Sequence, residues 1–435
     1  MMKKIFAITT LALLPALATQ AQAPNDVQDF KSHGIHVILR STKSNQVVSA
    51  VLGFEGGLAY GEADNAALAG MTAAVITKSG SDKFPKTAYR DSLARLSTAI
   101  AGSGSFYHTT FTMQTVRPNF SVAWDIFSDL LLHPHYDTLE ASKIAEQEVK
   151  AIESRETEPE SYTSFLADSL WEGASKLNRV ATTEEVEKLT PADFKAYRDA
   201  QLQRSRAVLV VVGDVSKAEL EAKLASLEAL PMGNFTWPKV EHITPVTGKY
   251  MFIPKPADFP TTYVEMRGFS ATPVDPDWFA ERILIEVLDK RYFDEIRTKR
   301  NLSYAPGIYP NGEYSNFAMH SSFQSVLPDS AARVAFRELR KVQTELVPAD
   351  QLMHSKEGRI TTYYYATQSN LSQATAMFTD QVEYGDWHIF FQIVPKTETV
   401  TAEQVRAAAK KYLRGFSFVV LGPEGKATQD VYKFE

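Results

Sequence analysis

Three features of this chain occur twice at a nearly constant offset of about 210 residues, so a fold built on that period has to be two copies of one plan. FTMQTVRP, from Phe111 to Pro118, answers SSFQSVLP, from Ser321 to Pro328. Each alternates as a half-buried strand does and ends at a proline able to open a helix. LTPAD from Leu189 answers VTAEQ from Val400, in each case a threonine N-cap with an acid or amide three residues on. Each of those helices leads into a continuous apolar strand, Val208 to Val212 or Phe416 to Leu421, closed by Gly213 or Gly422. Unbroken apolar runs of that length are the mark of strands buried on both faces.

The rest of each copy follows the same order. A strand, Val47 to Phe54 or Tyr263 to Phe269, leads through a turn into a long amphipathic helix, Asp64 to Lys78 or Pro276 to Arg297. Leu93, Leu96 and Ile100 read as a further helix face, and Asp137 with Glu140 as the start of a helix reaching about Glu156. Prolines 231, 238, 245, 254, 256 and 260 exclude a single helix across the middle, which places the hinge near residues 230–248. The expected fold is α+β, with domains at 22–230 and 249–435, each a mainly antiparallel sheet with helices packed on one face.

MMKKIFAITTLALLPALATQAQA at the start sets two lysines before an apolar run and then small residues, the pattern of a secretory signal peptide cut after Ala21. No later apolar stretch approaches the length of a membrane helix. No cysteine is present, which removes disulfides, thiolate metal sites and lipid anchoring through a thiol. The expectation is an exported periplasmic protein with no membrane anchor. A formal charge of −6 offers no general attraction to nucleic acid.

Nine histidines are scattered, and none stands at helical i, i+4 spacing with a glutamate between. His133-Pro134-His135 lies in a turn between helices and reads as a solvated loop. The acidic run from Glu153 to Glu160 reads as a solvated helix end, although acids there oppose the helix dipole. Gly56-Gly57 and Gly102-Ser103-Gly104 lack the lysine and spacing of a phosphate loop and read as turns.

In its duplicated plan and local wording the chain resembles the pitrilysin/insulinase family of zinc peptidases, in particular the half-size members related to mitochondrial processing peptidase. The resemblance runs over about residues 34–422. It rests on GIHVIL from Gly34, the strand and turn through Gly56-Gly57, LHPHY from Leu132, TEEV from Thr183, and the strands closing at Gly213 and Gly422. Catalysis in that family uses an inverted H-x-x-E-H motif on the first long helix, two histidines binding zinc and the glutamate acting as base. Set against it, Gly70 and Ala74 stand where the histidines belong and Ala73 where the base belongs, while Ala151 falls where a later helix supplies the third ligand. The resemblance therefore implies that this chain binds no zinc of its own. In two-subunit members the non-catalytic chain contributes an arginine and a tyrosine, and RTKRNLSY carries that pair as Arg297 and Tyr304, seven residues apart. A guanidinium fork and a phenol can together stabilise the oxyanion of peptide hydrolysis. By position alone, Arg297 could equally serve the C-terminal dipole of its helix, and Tyr304 could start a strand.

The resemblance implies half of a clamshell: a non-catalytic subunit of a heterodimeric zinc metallopeptidase. Zinc would be held by a similar partner subunit, peptides or unfolded polypeptides would be the substrates, and Arg297 and Tyr304 would complete the partner's site. A non-enzymatic peptide-binding or scaffold protein of the same fold is the competing reading. An active enzyme with a relocated metal site is a third.

Overall fold

The computed structural model describes residues 26–60, 65–175, 179–236, 242–314 and 316–434. The leader expected at residues 1–21 lies outside them, as does Asp64 at the head of the expected first helix. The first half runs β1 (Val27–Ser32), β2 (Ile35–Ser41), β3 (Val47–Glu55), α1 (Leu68–Ser79), α2 (Lys86–Arg95), β4 (Ala99–Gly104) and β5 (His108–Val116). It continues through α3 (Phe120–Leu132), α4 (Thr138–Thr157), α5 (Pro159–Glu172), α6 (Thr183–Glu187), α7 (Pro191–Gln201), β6 (Ala207–Gly213) and α8 (Lys217–Leu224). The second half runs β7 (Tyr250–Lys255), β8 (Thr262–Phe269), α9 (Trp278–Tyr292), β9 (Gly307–Asn311), β10 (Ala318–Ser325) and α10 (Pro328–Thr344). α11 (Ala349–Ala366), α12 (Asn370–Tyr384), α13 (Ile389–Thr399), α14 (Ala402–Tyr412) and β11 (Ser417–Pro423) complete it.

The two sheets have one topology. Strand order is β1-β2-β6-β3-β5-β4 in the first and β7-β11-β8-β10-β9 in the second. β2 with β6 and β7 with β11 are the parallel pairs, and every other pairing is antiparallel. The repeated sequence features fall on equivalent elements, since FTMQTV and SSFQS are β5 and β10. Thr190 and Thr401 each close a reciprocal capping box at the head of α7 and α14. The apolar runs are the central strands β6 and β11, buried along their whole length.

One face of each sheet packs on its own helices. Val48, Ala50, Leu52, Phe54, Phe111, Leu209 and Val211 meet Ala73, Phe127 and Leu220 in the first half. Val264, Met266, Phe418 and Val420 meet Ile283, Leu284, Leu339 and Val405 in the second. The other face of the first sheet, with Ile38, Val51, Val208, Val210 and Val212, is covered by Ala374, Met377 and Phe378 of α12, a helix of the second half. α5 of the first half in turn lies on β8 and β11. There Arg267 of β8, fully buried, donates to Asp168 at 2.6 Å and to the Ser164 hydroxyl at 2.8 Å, and Trp171 packs edge-on to Phe269. The halves thus exchange helices, which is why both central strands are buried on every residue.

Two local expectations are corrected. Leu93, Leu96 and Ile100 do not share a helix: α2 ends at Arg95, Ser97 takes φ 47°, and Ile100 lies in β4. All three nevertheless pack on Tyr89, Ile126 and Leu130, so the apolar spacing was a shared contact and not a helical face. The helix expected over 276–297 starts at Trp278 and ends as an α-helix at Tyr292, after which Phe293–Thr298 forms a turn of π-helix.

Candidate functional site

That π-helical turn carries Arg297. Wider i→i+5 turns are uncommon and concentrate at functional positions. Here Lys299 N donates to the Asp294 carbonyl at 2.9 Å, and Asn301 N closes on the Arg297 carbonyl with Asn301 at φ 51°. The chain then doubles back through Leu302, whose carbonyl accepts from Ser325 of β10 at 2.5 Å, and brings Tyr304 over the helix end. The Arg297 guanidinium lies 4.2 Å from the Tyr304 ring centre and 4.9 Å from that of Phe293. Stacking of guanidinium on aromatic faces orders it without using its donors. Tyr304 is 72% exposed and begins no strand, because β9 starts only at Gly307.

The neighbouring cations are occupied. Glu295 accepts from Lys299 at 2.5 Å, Arg300 at 2.7 Å and Arg337 at 3.3 Å. Those contacts, led by Lys299 and then Arg300, hold its carboxyl down to about 2. The Arg297 guanidinium shares none of them, and among the described residues it makes no hydrogen bond or ion pair. Serving the helix dipole is a role Lys299 and Arg300 already fill. What remains is a guanidinium with free donors, clamped between two rings beside an exposed phenol. The family resemblance pointed to Arg297 and Tyr304, and nothing in the sequence reading pointed to Phe293 or Glu295. Phe293, four residues before Arg297, was the available signal, at a distance that brings side chains together on a helix.

Gly70, Ala73 and Ala74 lie on α1, which packs against α4 where Ala151 sits exposed. α1 is pressed onto β4. A Cβ at Gly102 would come within 2.4 Å of the Ala73 carbonyl oxygen, and one at Gly104 within 2.5 Å of Gly70 N. Ala73 is part of the first-half core, and Ala74 packs on a cluster of Met71, Val75, Ile144 and Phe194. Glycine and alanine side chains carry no lone pair for a metal, so these positions do not fit zinc. Among the described residues no group of three or more His, Asp or Glu is placed to hold a metal ion. His133 and His135 stay in the α3–α4 turn, where His135 Nε2 meets Asp82 at 2.8 Å.

Two sheets of one topology define a duplicated α+β fold, and comparison with known proteins gives that fold its relatives. A structure titled peptidase M16 inactive domain, from Pseudomonas fluorescens, is 18% identical with a TM-score of 0.79, over 92% of this chain and 98% of that one. The periplasmic protease PqqL from Escherichia coli is 16% identical with a TM-score of 0.79, over 98% of this chain but 49% of that one, so this chain spans about half of it. A protease from Helicobacter pylori is 12% identical with a TM-score of 0.78, over 91% and 99%. Residues 36–184 match the family described as Insulinase (Peptidase family M16), and residues 188–359 match the Peptidase M16 inactive domain. The chain belongs to the insulinase family of peptidases. No curated protein matches it closely enough to be called a relative.

Proposed function

We propose that this chain is the non-catalytic subunit of a heterodimeric periplasmic zinc metallopeptidase that degrades peptides or unfolded polypeptides. The observation that carries the reading is the Arg297 guanidinium, ordered by Phe293 and Tyr304 yet unpaired, while its three cationic neighbours are held by Glu295. An unpaired, pre-oriented fork is what a site completed from outside requires, because no rearrangement has to accompany the reaction. Arg297 and Tyr304 would bind the substrate and donate to its carbonyl oxygen as negative charge develops there. Zinc would belong to the partner subunit, since Gly70, Ala73, Ala74 and Ala151 offer this chain no ligand.

The test is cleavage of a quenched peptide by this chain combined with a co-exported partner that carries H-x-x-E-H. Arg297→Ala should lower kcat/KM by about 10²-fold or more, the size expected for loss of an oxyanion donor, with assembly intact. Tyr304→Phe, which removes one neutral donor, should cost less. If both variants leave turnover unchanged, the pair is not part of the site. A chain that binds peptide but never supports chelator-sensitive cleavage would instead be the scaffold protein.

A further inference from the structure

A second place in the molecule also lacks its partner. β3 ends at Glu55 on the sheet face that α12 covers, because Val51, Gly53 and Glu55 alternate to that side. Gly53 is required there: a Cβ would come within 2.0 Å of the Phe378 ring. The close approach of α12 leaves Glu55 only 1% exposed. The Tyr60 hydroxyl reaches it, and the rest of its hydrogen-bonding capacity is unmet among the described residues. Buried carboxyls are rarely left so, and each instance calls for a cause.

Glu55 lines a cavity of 380 Å³ between the first sheet and the C-terminal end of α12. Its walls are Tyr60, Tyr107 and Tyr314, and Glu383 of α12 is a second carboxyl inside it. Gly385 borders it with open space where a Cβ would stand. Of the positive groups, Lys31 is exposed and His36 is engaged by Asp29 at 2.8 Å, while Arg206 lies near enough to attract the carboxylate. Arg206 donates to the Glu55 backbone carbonyl at 2.9 Å and stacks on Phe235. Aromatic faces around a carboxylate favour an organic cation, which gains from both the ring quadrupoles and the opposite charge.

We propose that this cavity binds an alkylammonium group, from a lysine side chain or a free small amine, with Glu55 as counter-ion and Tyr60, Tyr107 and Tyr314 as its walls. Burial supplies a signature. Desolvation pushes the Glu55 carboxyl up to about 9, with Tyr60 and Arg206 pulling the other way, and pushes Glu383 to about 7. His108, opposite Glu55 on β5, is held neutral by burial, at about 4. The empty site is therefore protonated at Glu55 at neutral pH, and a bound cation must displace that proton.

Calorimetric titration of the full chain at pH 7 with n-butylammonium, and separately with Nα-acetyl-lysine methylamide, tests this. Repeating each titration in buffers of different ionisation enthalpy counts protons. Saturable binding should release roughly one proton or more, and affinity should rise up to about tenfold per pH unit below the raised pKa. Glu55→Gln should weaken binding at least tenfold and remove that release. Binding of butylammonium alone would identify a free amine, and binding of the lysine amide a side chain; either supports the site. No saturable binding of either amine at millimolar concentration overturns the proposal, as does binding without proton release by the wild-type chain, a result independent of how the variant folds.

Discussion

Two glutamates show how far position alone can drive one functional group in opposite directions. Glu295, ringed by Lys299, Arg300 and Arg337, is held at about 2, below its ordinary value. Its pairing therefore contributes stability that is present above about pH 4.5 and lost as pH falls toward 2. Allowing for solvent screening, the contribution is about 1 kcal/mol. Glu55, pushed up to about 9 by burial, has the opposite sign. The folded state holds its proton more tightly than the unfolded state, so stability is greatest below about pH 4.5 and declines as pH rises toward 9. Denaturant unfolding from pH 3 to 8 should accordingly show Glu295→Gln losing less stability than wild type at the acid end. Glu55→Gln should gain about 2–3 kcal/mol over wild type near pH 7 and little near pH 4. Equal pH profiles for wild type and Glu55→Gln would mean that the carboxyl is not desolvated as the structure has it. The sequence reading proposed Arg297 and Tyr304, through the family resemblance, and neither glutamate. Glu55 carried no signal, since its burial is imposed by a helix more than 300 residues further along the chain.

At the scale of elements, features encoded within a few residues were legible. Capping boxes at Thr190 and Thr401, the Asp137 cap of α4 and the prolines that precede α3 and open α10 each act on adjoining backbone, so the sequence contains both partners. What could not be read depends on distant packing. β4 replaces the expected continuation of α2 because Ile100 is held by β5, and the π-helical turn after α9 interrupts a pattern that looks regular. The tightest such dependence is Gly53 against Phe378. Glycine is needed there for space, since its φ lies outside the left-handed region and any residue could adopt the backbone. Gly53→Val should destabilise the fold by about 1–3 kcal/mol through overpacking. Phe378→Ala should cost about 3–5 kcal/mol through the cavity it leaves. Combined, the two should cost clearly less than their sum, because the valine would occupy space the phenylalanine vacates. Additive losses in chemical denaturation would show that α12 does not sit on β3 in solution.

The whole molecule follows from what an apolar central strand demands. β6 is apolar along its length and β11 at every residue but Ser417, and each half's own helices cover only one face. The repeat period therefore announced two similar sheets, and the unbroken apolar runs announced a second covering layer, without saying where it comes from. It comes from the other half: α12 lies under the first sheet, and α5 under the second. Neither sheet can then be satisfied alone. Without the second half, Ile38, Val51, Val208, Val210 and Val212 would face water as one patch, and without the first half Arg267 would lose Asp168 and Ser164 and keep Glu265 as its remaining acidic partner. Leaving a buried charge without a partner is among the costlier changes a fold can suffer. The full chain should unfold in one cooperative calorimetric transition, and a fragment of residues 26–236 should be insoluble or lack fixed tertiary packing. Arg267→Met should lower the midpoint of that single transition without splitting it. Two resolved transitions, or a first-half fragment with native near-ultraviolet dichroism, would show that the halves are independent domains and that the exchanged helices do not bind them into one unit.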